Sequence, residues 1–291
     1  VSLSQTSGFS SYKDNMGEVL NQGFELQVRG EVFRNRDWLV ALWGNMAHNK
    51  NKILKISDSQ RAYNQRVKEF YENIVNEEYG RYNSKYGVPI SQYEEGQSLT
   101  SIWAVKSLGI DPTTGKEIFL NRDGSVSDTW NATQEVVVGN TEPKFNGSVG
   151  FNLAYKAWSL FAAFQYEWGG QEYNQTLVDR VEDADLSRNV DERVLKGRWQ
   201  KPGDHTFFKD IASRDRTEVT SRFVQDENVL QFKSLSLSYS FPQKWIKKMY
   251  MERMKLTFQM EDLFRISTVK RERGLDYPFA RTFNFGLQVQ F

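Results

Sequence analysis

Few side chains in this sequence are equipped for chemistry. The chain of 291 residues carries two histidines and no cysteine, so thiolate nucleophiles, disulfides and thiolate-bound metals are excluded. His48 and His205 stand apart in the sequence, without the convergent partners that a metal ion or a general base requires. Glu182-Asp183-Ala184-Asp185 spaces three carboxylates closely enough to hold a hard cation, although a solvated loop accounts for the run more simply. Trp103, Trp130, Tyr173 and Trp199 lie in turn-rich or charged stretches, where flat rings can stack on sugar faces or pack within the loop. There is no nucleotide-binding loop and no catalytic cluster. The expectation is a protein that binds rather than catalyses, with no cofactor and no resident metal.

Charge narrows the partners further. The 38 basic and 37 acidic residues nearly cancel, which leaves no electrostatic case for nucleic acid or for an anionic membrane surface. Mean hydropathy is -0.64, and no apolar run reaches the length of a membrane-crossing helix. Low hydropathy remains compatible with a membrane β-barrel, whose strands are half polar and whose loops are wet. The first residues show no signal peptide, and the chain reads as a mature or partial segment.

The elements that position these residues announce themselves by a period of two. Phe283, Phe285, Leu287, Val289 and Phe291 alternate with Asn284, Gly286, Gln288 and Gln290. The same alternation predicts strands over 23–30, 38–48, 145–155, 158–168, 230–241 and 253–263. The 38–48 stretch is less clean, because Leu39, Ala41 and Trp43 are apolar on its second face. Leu230 and Phe232 fall out of phase with Leu235, Leu237 and Tyr239, which predicts a bulge near Lys233. Residues 31–37 read as a short polar link and 265–278 as a loop. A helix is expected over 57–79, capped by Ser57 or Asp58, either docking a partner or folding over its own chain. Gly109 to Gly115 and Asn121 to Gly124 read as turns.

Two features favour a membrane barrel over a β-sandwich, which would also show one apolar face. Phe145 and Tyr155, like Trp158 and Trp168, are ten residues apart on one face. Ten residues rise about 33 Å, and a tilt of roughly 40° brings that to about 25 Å, the height of a barrel's apolar band with aromatics at both rims. The connections also alternate between short (31–37, 156–157, 242–252) and long (49–144, 169–228, 264–278). Outer-membrane barrels place short turns in the periplasm and long loops outside. Glu25, Arg29, Lys255 and Glu261 then point into the lumen. The alternative kept open is a surface adhesion or carbohydrate-binding sandwich.

The residues also resemble a known family. Asn15 to Leu26, Gly109 to Gly115, Asn140 to Phe145, Arg198 to Asp204, Leu230 to Tyr239, Glu261 to Phe264 and Gly274 to Pro278 resemble, in order, motifs of the SusC/RagA-type TonB-dependent transporters. The resemblance implies that residues 1–291 are the C-terminal portion of a plugged outer-membrane barrel of about twenty-two strands, about nine of them here. It implies TonB-dependent import of a bulky solute, a glycan or an oligopeptide. It also implies a SusD/RagB-like lipoprotein as a lid, and TonB, ExbB and ExbD acting through a plug and TonB box that this chain lacks.

Overall fold

The computed structural model describes residues 17–75, 92–213, 215–270 and 281–291, with the backbone alone given at 67–75. The end of the 57–79 helix and the Gly274-to-Pro278 motif lie outside the described residues.

Where the sequence alternates, the chain extends. β1 (Gly17–Arg34) pairs with β2 (Trp38–Ile56). Between them Asn35 Oδ1 accepts from the N–H groups of Asp37 and Trp38 at 2.9 and 2.8 Å, which folds the link into an Asx turn. The link is therefore shorter than the 31–37 expected. Residues 31–34 are already strand. α1 (Asp58–Val75) is capped by Ser57, whose Oγ accepts from the Gln60 N–H at 3.1 Å. Asn64 Nδ2 donates to the Tyr93 carbonyl at 2.7 Å and Arg61 pairs with Glu95 at 2.7 Å, so the helix is tied to its own excursion.

That excursion is not a bare loop. β3 (Ser101–Ala104), β4 (Lys106–Ile110), β5 (Glu117–Leu120), β6 (Val126–Ser127) and β7 (Val136–Asn140) form a β3–β7 pair and a β4–β5–β6 meander. The two expected turns close it, with Gly115 and Gly124 at φ values of 73° and 84°. The hairpin of β8 (Phe145–Tyr155) and β9 (Trp158–Tyr173) runs from Phe145↔Trp168 to Tyr155↔Trp158 without a slip. β10 (Val224–Ser240), β11 (Arg253–Glu261), β12 (Arg265–Ser267) and β13 (Thr282–Gln290) complete the chain. Residues 265–267, expected as loop, pair with 229–231.

The main sheet runs β1-β2-β8-β9-β10-β11-β13, with β12 on β10. Among the described residues it has eight strands where about nine were expected. The β2–β8, β8–β9, β10–β11 and β11–β13 pairings are antiparallel, and β1 and β13 are the ends of the described sheet.

Contacts divide the chain into two units. The strand unit holds Gly23–Asn49, Pro143–Gly170 and Asp226–Phe291. Its apolar face is open: Phe285 is 77% exposed and Leu287 59%, where a sandwich would bury both. Aromatic rows border that face. Trp38 meets Tyr155 at 4.2 Å, Trp158 meets Tyr239 at 4.6 Å, and Tyr239 meets Phe241 at 5.0 Å beside the short turns. At the other end His48 lies 5.5 Å from Phe24 and 5.4 Å from Phe145, with its Nδ1 2.5 Å from the Lys144 carbonyl oxygen. His48 is thus a satisfied member of an aromatic rim.

The phase slip near Lys233 is present. Phe232 and Tyr239 are an odd number of residues apart, yet both meet even-numbered aromatics of β9, Phe164 at 5.0 Å and Trp158 at 4.6 Å. The pairing to the next strands slips in the same stretch, from Gln231↔Arg265 to Ser234↔Glu261. The extra residue lies on that partner side, where Asp262 takes a left-handed φ of 49° and its N–H donates to the Lys233 carbonyl at 3.1 Å.

The loop unit holds Lys50–Glu142 and Gln171–Gln225, with the chain up to Gln22. Its two excursions share one core of Val105, Val178, Val181, Val194, Val219 and Phe223, each at most 2% exposed. The Val105 N–H donates to the Val219 carbonyl at 3.2 Å, and the Val105 carbonyl accepts from the Ser221 N–H at 2.9 Å, which joins the excursions through the backbone.

Candidate functional site

The polar face of the strand unit carries a groove of about 870 Å³. Glu25, Gln27, Asn45, Asn146, Ser148, Gln165 and Glu167 line it, each on the face opposite the exposed aromatics of its own strand. Glu25 is therefore in the groove, with Arg29 four residues further along the same face of β1. Lys255 stands opposite Ser240 and Gln288, and Glu261 opposite Ser234 and Thr282, which puts both on the polar face.

Beside the groove this face is not wholly polar. Trp43 and Phe161 stack there, with centroids 6.1 Å apart and planes 9° from parallel. Gly150 makes room for the indole: a Cβ there would fall 2.4 Å from Trp43 Cζ2. At the next step Asn45 Oδ1 accepts from the Ser148 N–H at 2.6 Å, and Tyr166 OH donates to the Asn45 carbonyl at 3.0 Å across Gly147. Sequence reasoning did not single out Trp43 and Phe161 as a pair. The apolar second face of 38–48 was the available signal.

The four aromatics expected to meet a solute all lie in the loop unit, each held by its neighbours. Trp103 is 3% exposed and its indole N–H donates to the Gln92 carbonyl at 3.1 Å, so it offers no open face and acts in packing. Trp130 and Trp199 are half-buried, donating to Val219 O at 3.0 Å and Pro112 O at 2.9 Å. Tyr173, also half-buried, packs 6.2 Å from Phe223. Trp199 also lies against Gly115, where a Cβ would fall 2.6 Å from its Cδ2, and the Gly203 N–H donates to Pro112 O at 2.8 Å. Two motifs nearly ninety residues apart, Gly109 to Gly115 and Arg198 to Asp204, are therefore one packed unit.

No family model matches the chain. TonB-dependent receptor P3 of Formosa agariphila is 26% identical over 99% of the chain and 30% of its own length. TonB-dependent receptor P39 of the same organism is 21% identical over 100% of the chain and 32% of its own length. Among solved structures, the RagAB peptide transporter superposes over the whole chain and 31% of its own, with a TM-score of 0.72 at 19% identity. The closed-closed state of the RagAB peptide importer gives 0.72 at 20% identity, over the whole chain and 32% of its own. This chain is similar to a segment of TonB-dependent receptors and has the fold of part of the RagAB transporter. It spans about a third of the length of the curated relatives it matches.

The loop unit is pinned by buried charge. Arg222 donates to Glu117 through Nε at 3.0 Å and Nη2 at 2.7 Å, and to Glu182 at 2.9 Å, with side-chain exposures of 4%, 12% and 0%. Its guanidinium also lies 4.4 Å from the Phe223 ring. Burial alone would lower the Arg222 pKa; the hydrogen bonds and charges of the two carboxylates outweigh it and push it up. Arg198 gathers the carbonyls of Val181, Glu182, Val194 and Lys209. Lys209 pairs with Asp183 at 2.8 Å, while Asp185 accepts from Ser187 and pairs with Arg188 at 3.2 Å. The Glu182–Asp185 run is therefore solvated only in part: Glu182 is 3% exposed and Asp183 is paired, while Asp185 is exposed. Among the described residues no cluster of metal-ligating side chains occurs. Two further carboxyls stand out. Burial pushes Glu135 up to about 7, against a hydrogen bond from Gln92 and the charge of Arg122. Burial likewise pushes Glu218 up to about 7, against Arg216.

Proposed function

We propose that this segment forms part of the wall of an outer-membrane importer for a bulky nutrient, driven through TonB, ExbB and ExbD by parts outside this chain. The observation that carries the reading is the exposed apolar face bordered by two aromatic rows, on a sheet whose other face is polar. Such a sheet suits lipid on one side and water on the other. Its open edges in lipid would leave backbone groups unpaired, so further strands complete the barrel. We assign Glu25, Arg29, Lys255 and Glu261 to the lumen and the long connections to the extracellular side. Contact with a solute there falls to the partly exposed Trp130, Tyr173 and Trp199. A SusD/RagB-like lipoprotein is the lid. Likeness to a peptide transporter favours an oligopeptide over a glycan.

Deletion of the gene in its own bacterium, with growth and uptake followed on a panel of peptides and glycans, tests this. Loss of one solute class, restored by the intact gene, is the expected result. Undiminished uptake of every solute would sink it.

A further inference from the structure

We propose that the groove on the polar face of β1, β2, β8 and β9 binds a basic oligopeptide, its carboxylates pairing with a Lys or Arg side chain and the Trp43–Phe161 rings receiving an adjacent apolar side chain. The proposal rests on the importer reading above and names the solute for one patch of its wall.

Charge is the first reason. Glu25 and Glu167 line the groove, and no Lys or Arg does. The nearest cation along β1 on that face is Arg29, four residues beyond Glu25. A concave wall of one sign concentrates ligands of the other. The amides come second. Gln27 and Asn146 each offer a donor and an acceptor, which is what an extended peptide backbone needs, while Gln165 Nε2 donates to Glu167 Oε1 at 3.3 Å and leaves the Gln165 carbonyl oxygen as an acceptor. Asn45 spends its Oδ1 on the Ser148 N–H, leaving its Nδ2 as the donor there. The third reason is the ring pair. A stacked Trp and Phe on a wall that otherwise faces water serves a flat or aliphatic group, and Gly150 keeps the indole low against the sheet. A neutral glycan would use the rings and amides but gain nothing from the carboxylates.

The test uses the full-length receptor in detergent. The probes are a short extended peptide with two Arg and one Phe, the same peptide with Glu for Arg, and maltoheptaose. Calorimetry should show the Arg peptide binding at least about tenfold more tightly than the Glu peptide, an advantage that shrinks as salt rises from about 0.05 to about 0.5 M. Combining Glu25→Gln with Glu167→Gln should remove most of that advantage, and Trp43→Leu should weaken the Arg peptide about fivefold. If Trp43→Leu does not fold, the two Glu variants, which change no shape, decide alone. Equal binding of both peptides, binding of maltoheptaose only, no binding, or affinity unchanged in the double Glu variant would each overturn the proposal. Uptake of an acidic peptide or a glycan by the same receptor would leave the importer reading standing while removing this one.

Discussion

The indole of Trp43 occupies the space where a side chain on Gly150 would begin. A Cβ on Gly150 would stand 2.4 Å from Trp43 Cζ2 and 2.5 Å from the Ala162 carbonyl oxygen. Gly150→Ala should therefore cost about 1–3 kcal/mol through overpacking. In a Trp43→Ala background the same change should cost less, because only the backbone contact remains. A double-mutant cycle on thermal unfolding of the full-length protein measures the coupling, and strictly additive effects would show that the indole is elsewhere.

Arg222 is the hinge of the loop unit's charge network. Removing it by Arg222→Leu leaves Glu117 and Glu182 buried without their cation, a loss on the order of 3–5 kcal/mol. The strand unit holds none of these groups, so its response should be small. Limited proteolysis of the full-length variant checks this. Faster cleavage within 174–223 and unchanged resistance in 145–168 is the expected pattern; uniform resistance would mean that the network contributes nothing.

The strands were legible because lipid and water impose alternation over long runs. The 145–155 strand matched to the residue, and 158–168 extended only to Tyr173. Phe232 betrayed the phase slip by its parity alone. The interior of the excursions was not legible. Val105, Val181, Val194 and Val219 are scattered single apolar residues, and their burial depends on two segments about one hundred residues apart pairing at Val105 and Ser221. The same holds for the expected solute-binding rings: Trp103 is buried by residues that no local pattern brings near it. Trp43 broke the alternation in plain view, but the reason is Gly150, on a strand about one hundred residues away.

Facing is testable by charge. Phe258 pairs with Leu237 and Phe285 in register, with its ring 4.9 Å from that of Phe285, whereas Gln259 stands opposite Ser236 and Asn284. Phe258→Arg places a guanidinium against hydrocarbon and should destabilise by about 2–4 kcal/mol, while Gln259→Arg should be nearly neutral. Unfolding of the full-length protein reconstituted in lipid reads both. Equal penalties would mean that the two faces have been assigned wrongly.

Glu135 gives the loop unit a pH dependence of definite sign. It is 3% exposed, and burial raises it from 4.5 to about 7. The groups facing it are Gln92, whose Nε2 donates to Oε2, and Arg122, whose guanidinium binds the Glu135 carbonyl. A carboxyl with a raised folded pKa binds its proton more tightly folded than unfolded. Its contribution is therefore full below pH 4.5 and is lost as pH rises to about 7, a difference of roughly 3 kcal/mol at most. Glu218, raised to about 7 as well, acts with the same sign. The exposed carboxyls lowered by their partners, Glu95, Asp111, Asp123 and Asp185, act with the opposite sign and below that window. Trp103 and Trp130 lie in the same unit and report its unfolding by fluorescence. The unit should melt at a lower temperature near pH 8 than near pH 5, and Glu135→Gln, which keeps the shape and cannot ionise, should remove about half of that difference. A Gln variant that retains the whole difference would place the titrating group elsewhere.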